Sequence, residues 1–358
     1  MTPTTATAPT TQALSEGDLG AALLPIERGS LLAARRHLER AVEGGVSTGA
    51  NASLFHGAPA LEFVLTRAGQ VPRSVFDATD RVVAARLASA HKRRSSGALP
   101  RPAEFDLIRG LAGLGALLLT RAAPAPLLPD VLTYLVSLAQ PVQREGRDLP
   151  GWWSDAGPAD EPLPGGHGNL GVAHGIAGPL AALALALRQG VHVPGQLDAV
   201  EDFASWLDRY ETGYWVTPDQ LTAPSPEDPQ DLRPSWCYGT LGLARTRQLA
   251  ALALGDDTRQ QAAEDAAFAA VTDPARLATV TDASLCHGWA GLLTLVRAIA
   301  DDSSEPERFT ARAASLHGQL VTGLDHLPKP GFLEGRSGAR LALEGADTIG
   351  WTRALLIT

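Results

Sequence analysis

The sequence predicts an all-α chain built from repeated helical hairpins, and three observations carry that expectation. Hydrophobic residues make up 45% of the 358 positions, and Ala and Leu dominate them, which favours packed helices over sheets. A double-glycine motif, Gly-x-x-Gly, recurs along the chain, each copy followed by a short apolar run. Between the copies lie further helix-like runs at 82–91, 127–138, 197–210 and 257–270.

Taken in order, residues 1–17 are polar and rich in Thr, Pro and Ala, and read as a disordered leader. Residues 23–42 carry Leu31, Leu32, Leu38 and Val42 near the helical period and predict one amphipathic helix, ended by Gly44, Gly45 and Gly49. Ser53-Leu54-Phe55-His56-Gly57-Ala58-Pro59-Ala60 is a degenerate copy of the motif, followed by the apolar run 61–65. Full copies follow at Gly110-Leu111-Ala112-Gly113, Gly175-Ile176-Ala177-Gly178, Gly239-Thr240-Leu241-Gly242, Gly288-Trp289-Ala290-Gly291 and Gly335-Arg336-Ser337-Gly338. The first glycines recur every 47 to 65 residues, room for two helices and their loops, which is the signature of stacked hairpins. Two glycines three apart at a helix start suit close approach of a neighbouring backbone. Each unit opens with the same motif, so the motif ends should lie on one side of the assembly. If the hairpins close into a ring, those ends converge on one mouth. The segments 141–167 and 212–233, rich in Pro, Gly, Trp and Asp, read as rims, lids or disordered loops, with Trp152, Trp153 and Trp215 favouring order.

The totals exclude several classes. A net charge of −9 argues against a nucleic-acid binder, which would show a basic face. The first twenty residues have neither a basic start nor an apolar core, so no signal peptide is expected. No apolar run reaches the roughly 20 residues that span a bilayer; the run 180–187 is too short and is Ala and Leu alone. Two cysteines make no disulfide framework and read as free thiols or metal ligands. A soluble cytoplasmic protein without membrane insertion is expected.

Both cysteines lie in the motif. Arg233-Pro234-Ser235-Trp236-Cys237-Tyr238-Gly239 and Cys286-His287-Gly288 place each thiol within two residues of a first glycine, and His174-Gly175 repeats the layout of His287-Gly288. Cys237, Cys286 and His287 therefore sit at matching points of a repeat. Zinc held by two thiolates and one imidazole keeps its fourth tetrahedral position open, the catalytic arrangement. An incoming thiol would be deprotonated there near neutral pH. Either cysteine alone would read as a small buried hydrophobe, and His287 alone as a hydrogen-bonded core residue. Together, at matching positions, they point to one zinc per chain. Spacing does not fix this by itself, because the cysteines are far apart and lack a CxxC hook.

With those strings the sequence resembles the lanthionine synthetase C-like family, the cyclases of lanthipeptide biosynthesis. Asn169-Leu170-Gly171-Val172-Ala173-His174-Gly175, Trp236-Cys237-Tyr238-Gly239 and Cys286-His287-Gly288 are hallmark strings of that family. Phe105-Asp106-Leu107-Ile108-Arg109-Gly110 and Gly331-Phe332-Leu333-Glu334-Gly335 match two more of its repeats. The match runs from about Ser53 to the C-terminus, and the stretches 53–60, 150–153 and 176–179 are similar to stand-alone actinobacterial members. The resemblance implies an α/α toroid, a double ring of six to seven helical hairpins forming a single domain over 18–358, with one Zn2+ near its centre. It implies addition of a peptide cysteine thiol to dehydroalanine or dehydrobutyrine, giving lanthionine or methyllanthionine. By resemblance Cys237, Cys286 and His287 are the zinc ligands, and His174 is the acid/base. Asp106 matches an acidic residue of the family's active site, and Arg233 and Tyr238 match neighbours of the first ligand. His174, Asp106, Arg233 and Tyr238 make the candidate catalytic set. His174 would deliver a proton to the α-carbon or accept that of the thiol. Arg233 would stabilise the enolate or orient a carboxylate, and Asp106 would fix the His174 tautomer. Plainer readings stand beside these: Asp106 as an N-cap, Arg233 as a surface ion-pair partner, Tyr238 as a packing ring, and His56 and His167 as rim or packing residues.

Two departures from the family pattern matter. Leu241 stands where the family often has proline, and six motifs are legible where the family ring has seven hairpins. The missing one is expected before Ser53, with Gly29-Ser30-Leu31-Leu32 as its remnant, leaving the ring open or mobile there. The implied partner is a dehydrated precursor peptide made by a separate dehydratase, since 358 residues leave no room for a fused one. Contact with that dehydratase or with a transporter stays open. Three other readings compete: a family member adding a small thiol such as glutathione to dehydroamino acids, a zinc prenyltransferase on a similar toroid, and a non-catalytic scaffold that binds a peptide. The acidic balance and the Cys-His-Gly string speak against the prenyltransferase, and the intact ligands with His174 speak against the scaffold.

Overall fold

The computed structural model describes residues 10–122, 125–144, 146–210, 213–222 and 233–358. Helices α1 (Asp18–Glu27) and α2 (Leu31–Val42) form the first hairpin, α3 (Gly57–Arg67) and α4 (Arg73–Ser95) the second. After the one-turn α5 (Pro102–Phe105) come α6 (Leu111–Leu119) and α7 (Leu128–Val136). Strands β1 (Val142–Arg144), β2 (Arg147–Leu149), β3 (Ser154–Ala156) and β4 (Pro162–Asn169) precede α8 (Ala177–Arg188) and α9 (Gln196–Arg209). Then β5 (Trp215–Val216) and α10 (Pro218–Thr222) lead to α11 (Thr240–Leu254), α12 (Asp257–Thr272) and α13 (Pro274–Leu277). The last elements are α14 (Trp289–Asp302), α15 (Glu307–Gly323) and α16 (Arg336–Glu344).

Seven helices close into an inner ring. Helix α1 packs on α3, α3 on α6, α6 on α8, α8 on α11, α11 on α14, α14 on α16, and α16 back on α1. Their partners α2, α4, α7, α9, α12 and α15 pack outside them, so the expected double ring is the observed architecture. Composition explains the division. Helix α8 is buried at every residue from Ala177 to Leu187, and a helix without a polar face belongs in the interior. Helix α9 buries Ala199, Val200, Phe203, Ala204 and Leu207 on one side only, as an outer helix should.

Backbone bonds between the motif loops stitch the ring together. The N–H of Leu14 donates to Phe55 O, Phe332 N–H to Leu14 O, Cys286 N–H to Leu333 O, Cys237 N–H to Cys286 O, Val172 N–H to Cys237 O and Leu107 N–H to Ala173 O, all at 2.9–3.2 Å. Within every loop but the one at 57–60, where Ala60 takes its place, the second glycine allows the turn. A Cβ on Gly338 would stand 1.8 Å from Phe332 O, and one on Gly20 1.9 Å from Leu14 O, in both cases the carbonyl six residues earlier. Gly113, Gly178, Gly242 and Gly291 repeat that relation with Leu107, Val172, Trp236 and Leu285. The loop folds back onto the first turn of its own helix, and a side chain would block it. Gly338→Ala is therefore expected to destabilise the fold by about 3 kcal/mol. Gly318→Ala, exposed inside α15 with open space at the Cβ position, should instead stabilise it by up to about 1 kcal/mol. Urea midpoints of the two variants check these opposite signs.

The N-terminal expectations change. Residues 1–9 of the expected leader lie outside the described residues, but 10–17 belong to the fold: Leu14 is fully buried and carries two of the ring's backbone bonds. Glu16-Gly17-Asp18-Leu19-Gly20 is the seventh motif, and Gly29-Ser30-Leu31-Leu32 is not its remnant. The single helix expected over 23–42 is two helices, broken at Gly29, whose φ of +70° suits glycine alone among nearby residues. With α1 packed on both α3 and α16, the ring is closed there.

The segment 141–167 supplies strands that helical periodicity does not foresee. A β1–β2 hairpin is followed by a three-stranded antiparallel sheet, β3-β4-β5, in which Asn169 lies opposite Trp215. Trp153 is fully buried with its Nε1 donating to Gly165 O at 3.1 Å, and Trp152 sits edge-on to Phe203 and Trp206 of α9. The sheet thereby delivers the end of β4 to the mouth. Of the segment 212–233, only 213–222 and 233 are described. The C-terminal turn Trp351–Leu355 packs on α6, while Leu355 O accepts from Trp236 Nε1 at 3.0 Å and Ile357 O from Arg245 of α11 at 2.9 Å. Helices α6 and α11 are not neighbours in the ring, so this tail bridges the two across it. Among the described residues no helix is long and apolar enough to cross a membrane.

Candidate metal centre

Cys237 and Cys286 each stand two residues before a first glycine, and His287 one before, so the ring's register aims them at one mouth. The backbone bond from Cys237 N–H to Cys286 O, 3.2 Å, sets the two loops edge to edge. As a result the two Sγ atoms and a His287 ring nitrogen lie within 4.8 Å of one another. Tetrahedral zinc with bonds of about 2.0–2.3 Å needs donors roughly 3.5–4 Å apart, so small side-chain adjustments suffice. Two soft thiols and an imidazole also suit that ion chemically. Among the described residues no other trio meets this spacing. Three protein donors leave the fourth position for water or a guest.

The charges in the cluster are coupled. Asp282 Oδ2 lies 2.7 Å from His287 Nε2. That carboxylate, followed by Cys237, raises the imidazole to about 10. Burial works to raise Asp282, but hydrogen bonds from His287 and from Ser284 N–H outweigh it and hold the carboxyl at about 2. Between the thiols, the bond with Cys286 pulls Cys237 down, helped against burial by His287 and the Arg233 charge. The same bond, with burial, pushes Cys286 up. A divalent cation would take both thiols as thiolates and release protons.

Beside this trio stands a second group. Asp106 is fully buried where α5 ends. Its Oδ1 accepts from the N–H groups of Arg109 at 2.6 Å and Gly110 at 2.8 Å, which closes the loop that leads into α6, and its Oδ2 is 2.7 Å from His174 Nδ1. The loop anchor and the histidine partner are one residue. A carboxylate only accepts, so Nδ1 carries the hydrogen and Nε2 is left for a guest. Tyr238 stacks on His174 with ring centroids 6.3 Å apart at 29°, and its hydroxyl accepts from Asn169 Nδ2 at 2.8 Å. Burial raises the Tyr238 phenol above its ordinary range and keeps it protonated. Ala173 N–H donates to Cys237 O at 3.3 Å, joining this group to the metal-competent trio. Arg233 lines a cleft of about 530 Å3 with Pro158, Tyr214, Trp215, Tyr238 and Thr279, and forms no ion pair among the described residues.

All seven residues singled out in the sequence thus meet in one place. His167 does not join them: it is buried in the sheet with Nδ1 3.1 Å from Ser154 O. His56 is half-buried in the second motif loop, where burial lowers its pKa. Two residues of the site were not singled out, Asn169 and Asp282. Both stand six residues before a first glycine, as Arg233 does, and that register was the available signal.

Comparison with known proteins supplies a family and a fold. The family model described as lanthionine synthetase C-like protein matches residues 10–346. The nisin biosynthesis protein NisC of Lactococcus lactis subsp. lactis is 24% identical over 280 residues, 72% of this chain and 65% of that protein, so the match spans just under two thirds of the relative's own length. The solved structure of a nisin cyclase superposes with a TM-score of 0.79 at 21% identity, covering 98% of this chain and 93% of the other, which is a likeness of fold. The family match includes the seventh motif at 16–20.

Proposed function

The chain belongs to the lanthionine synthetase C-like family, and on that premise we propose that it is a zinc-dependent lanthipeptide cyclase acting on a dehydrated precursor peptide. The observation that carries this reading is the meeting of the Cys237–Cys286–His287 trio with the Asp106–His174 pair in one mouth. One group activates a thiol, and the other handles a proton.

Zinc held by Cys237, Cys286 and His287 would supply a Lewis acid that favours the deprotonated form of a thiol entering its fourth position. The remaining work falls to the chain. The peptide sulfur adds to the β-carbon of dehydroalanine or dehydrobutyrine; a C–S bond forms and the C=C electron pair moves toward the carbonyl as an enolate. Arg233 places a permanent cation beside that developing charge. The inner helices begin at the motif loops, so their positive ends converge on the same region. His174, its Nδ1–H held by Asp106, takes the thiol's proton on Nε2 and returns it to the α-carbon. Tyr238, tied to Asn169, packs against the imidazole and keeps the ring in place.

The test uses a peptide carrying one cysteine and one dehydroalanine, incubated with the zinc-loaded protein. Ring closure leaves the mass unchanged, removes the alkylatable thiol and, in D2O, adds one deuterium at the α-carbon. A thiol that disappears no faster than without protein sinks the reading. Addition of free glutathione in preference to the peptide's own cysteine would replace it with small-thiol addition.

A further inference from the structure

Two motif loops carry an Asn or Asp in the same local geometry, six residues before the first glycine. In one, Asn169 Oδ1 accepts from Gly171 N–H at 3.0 Å, its carbonyl accepts from Ile176 N–H at 2.9 Å, and a Cβ on Gly175 would stand 2.5 Å from that Oδ1. In the other, Asp282 Oδ1 accepts from Ser284 N–H at 2.7 Å, its carbonyl from Trp289 N–H at 3.0 Å, and a Cβ on Gly288 would stand 2.2 Å from that Oδ1. Each side chain pins one oxygen in a turn and sends its remaining atom to the site. The free amide of Asn169 donates to the Tyr238 hydroxyl, whereas the free oxygen of Asp282 meets His287 Nε2 at 2.7 Å. The two residue types are not interchangeable here. With Oδ1 pinned, asparagine offers a donor and aspartate an acceptor.

We infer that Asp282 is the positioning residue of the metal centre: by accepting from Nε2–H it fixes His287 in the tautomer whose Nδ1 lone pair is free for the ion. This rests on the metal reading given above. Asparagine at position 282 would keep the turn, as Asn169 does in its own loop, but would present an N–H to Nε2. The ring would then have to accept there and carry its hydrogen on Nδ1, the atom needed for ligation. A role in the turn alone implies no effect of that change; the positioning role implies a loss.

The experiment measures zinc affinity of the full chain by competition with a chromophoric chelator at fixed pH, for wild type and Asp282→Asn, beside urea unfolding of the metal-free forms. Asp282→Asn is expected to stay folded without metal, at a urea midpoint lowered by loss of the Asp282–His287 pair, and to bind zinc about 10- to 100-fold more weakly. Its cobalt form should keep thiolate charge-transfer bands while the ligand-field bands shift as the nitrogen donor is lost. Equal zinc affinities overturn the inference and leave the metal site standing. A wild type that takes up no zinc overturns the metal reading itself, and the inference with it. Should Asp282→Asn fail to fold, nitrogen NMR of His287 in the wild-type zinc protein decides: hydrogen on Nε2 supports the assignment, hydrogen on Nδ1 overturns it.

Discussion

Cys286→Ala is expected to empty the metal site and stop thioether formation together. Elemental analysis should find about one zinc per chain in the wild type and close to none in the variant. The reason is the small donor count: the trio is the one such group among the described residues. Dividing the roughly 10–16 kcal/mol of a four-donor zinc site over its donors gives about 3–4 kcal/mol each, so one lost thiolate weakens binding by some hundred- to thousandfold. The fold should survive. Cys286 holds its place in the ring by backbone, donating to Leu333 O and accepting from Cys237 N–H, and alanine keeps both bonds. Cys237→Ala removes the more deeply buried thiol and should lose zinc in the same way. Full cyclisation by either zinc-free variant would remove the metal from the mechanism.

The same register that makes this prediction decided what could be read from sequence. Cys237, Cys286, His287 and His174 stand one or two residues before a first glycine, so their convergence follows once the motif ends share one side of a ring. The contact of Asp106 with His174 does not follow, because the two are 68 residues apart and only the packing of neighbouring loops brings them to 2.7 Å. The seventh motif was hidden by composition. Glu16-Gly17-Asp18-Leu19-Gly20 follows a Thr/Pro/Ala-rich stretch that reads as leader, and its burial depends on Phe55 and Phe332, which are remote in sequence. The strands in 142–169 were illegible for a related reason. They are three to eight residues long and lack apolar alternation, and they are held by Trp152 and Trp153 docking into α9 and β4, a tertiary effect.

His174→Ala is expected to keep its zinc and lose about 10²–10⁴-fold in kcat, because His174 handles the proton and lies outside the ligand trio. Asp106→Asn is the sharper test. Asp106 Oδ1 is pinned by the N–H groups of Arg109 and Gly110, so the amide that replaces Oδ2 must point its N–H at His174 Nδ1. That nitrogen then has to accept, the ring's hydrogen moves to Nε2, and Nε2 can no longer take up the thiol's proton. Reversing a catalytic histidine in this way costs about 10⁴ in kcat in the serine-protease triad, here from a change that preserves volume and the loop bonds of Oδ1. The two carboxylate–histidine pairs use this one device in opposite senses. Asp106 engages Nδ1 and leaves Nε2 for a proton, whereas Asp282 engages Nε2 and leaves Nδ1 for an ion. Zinc content of Asp106→Asn should therefore match wild type while its thiol consumption collapses, the reverse of the order expected for Asp282→Asn, in which metal goes first. If Asp106→Asn kept more than about a tenth of wild-type kcat with its zinc in place, proton delivery through His174 Nε2 would have to be abandoned, since the comparable reversal in the serine-protease triad costs about 10⁴.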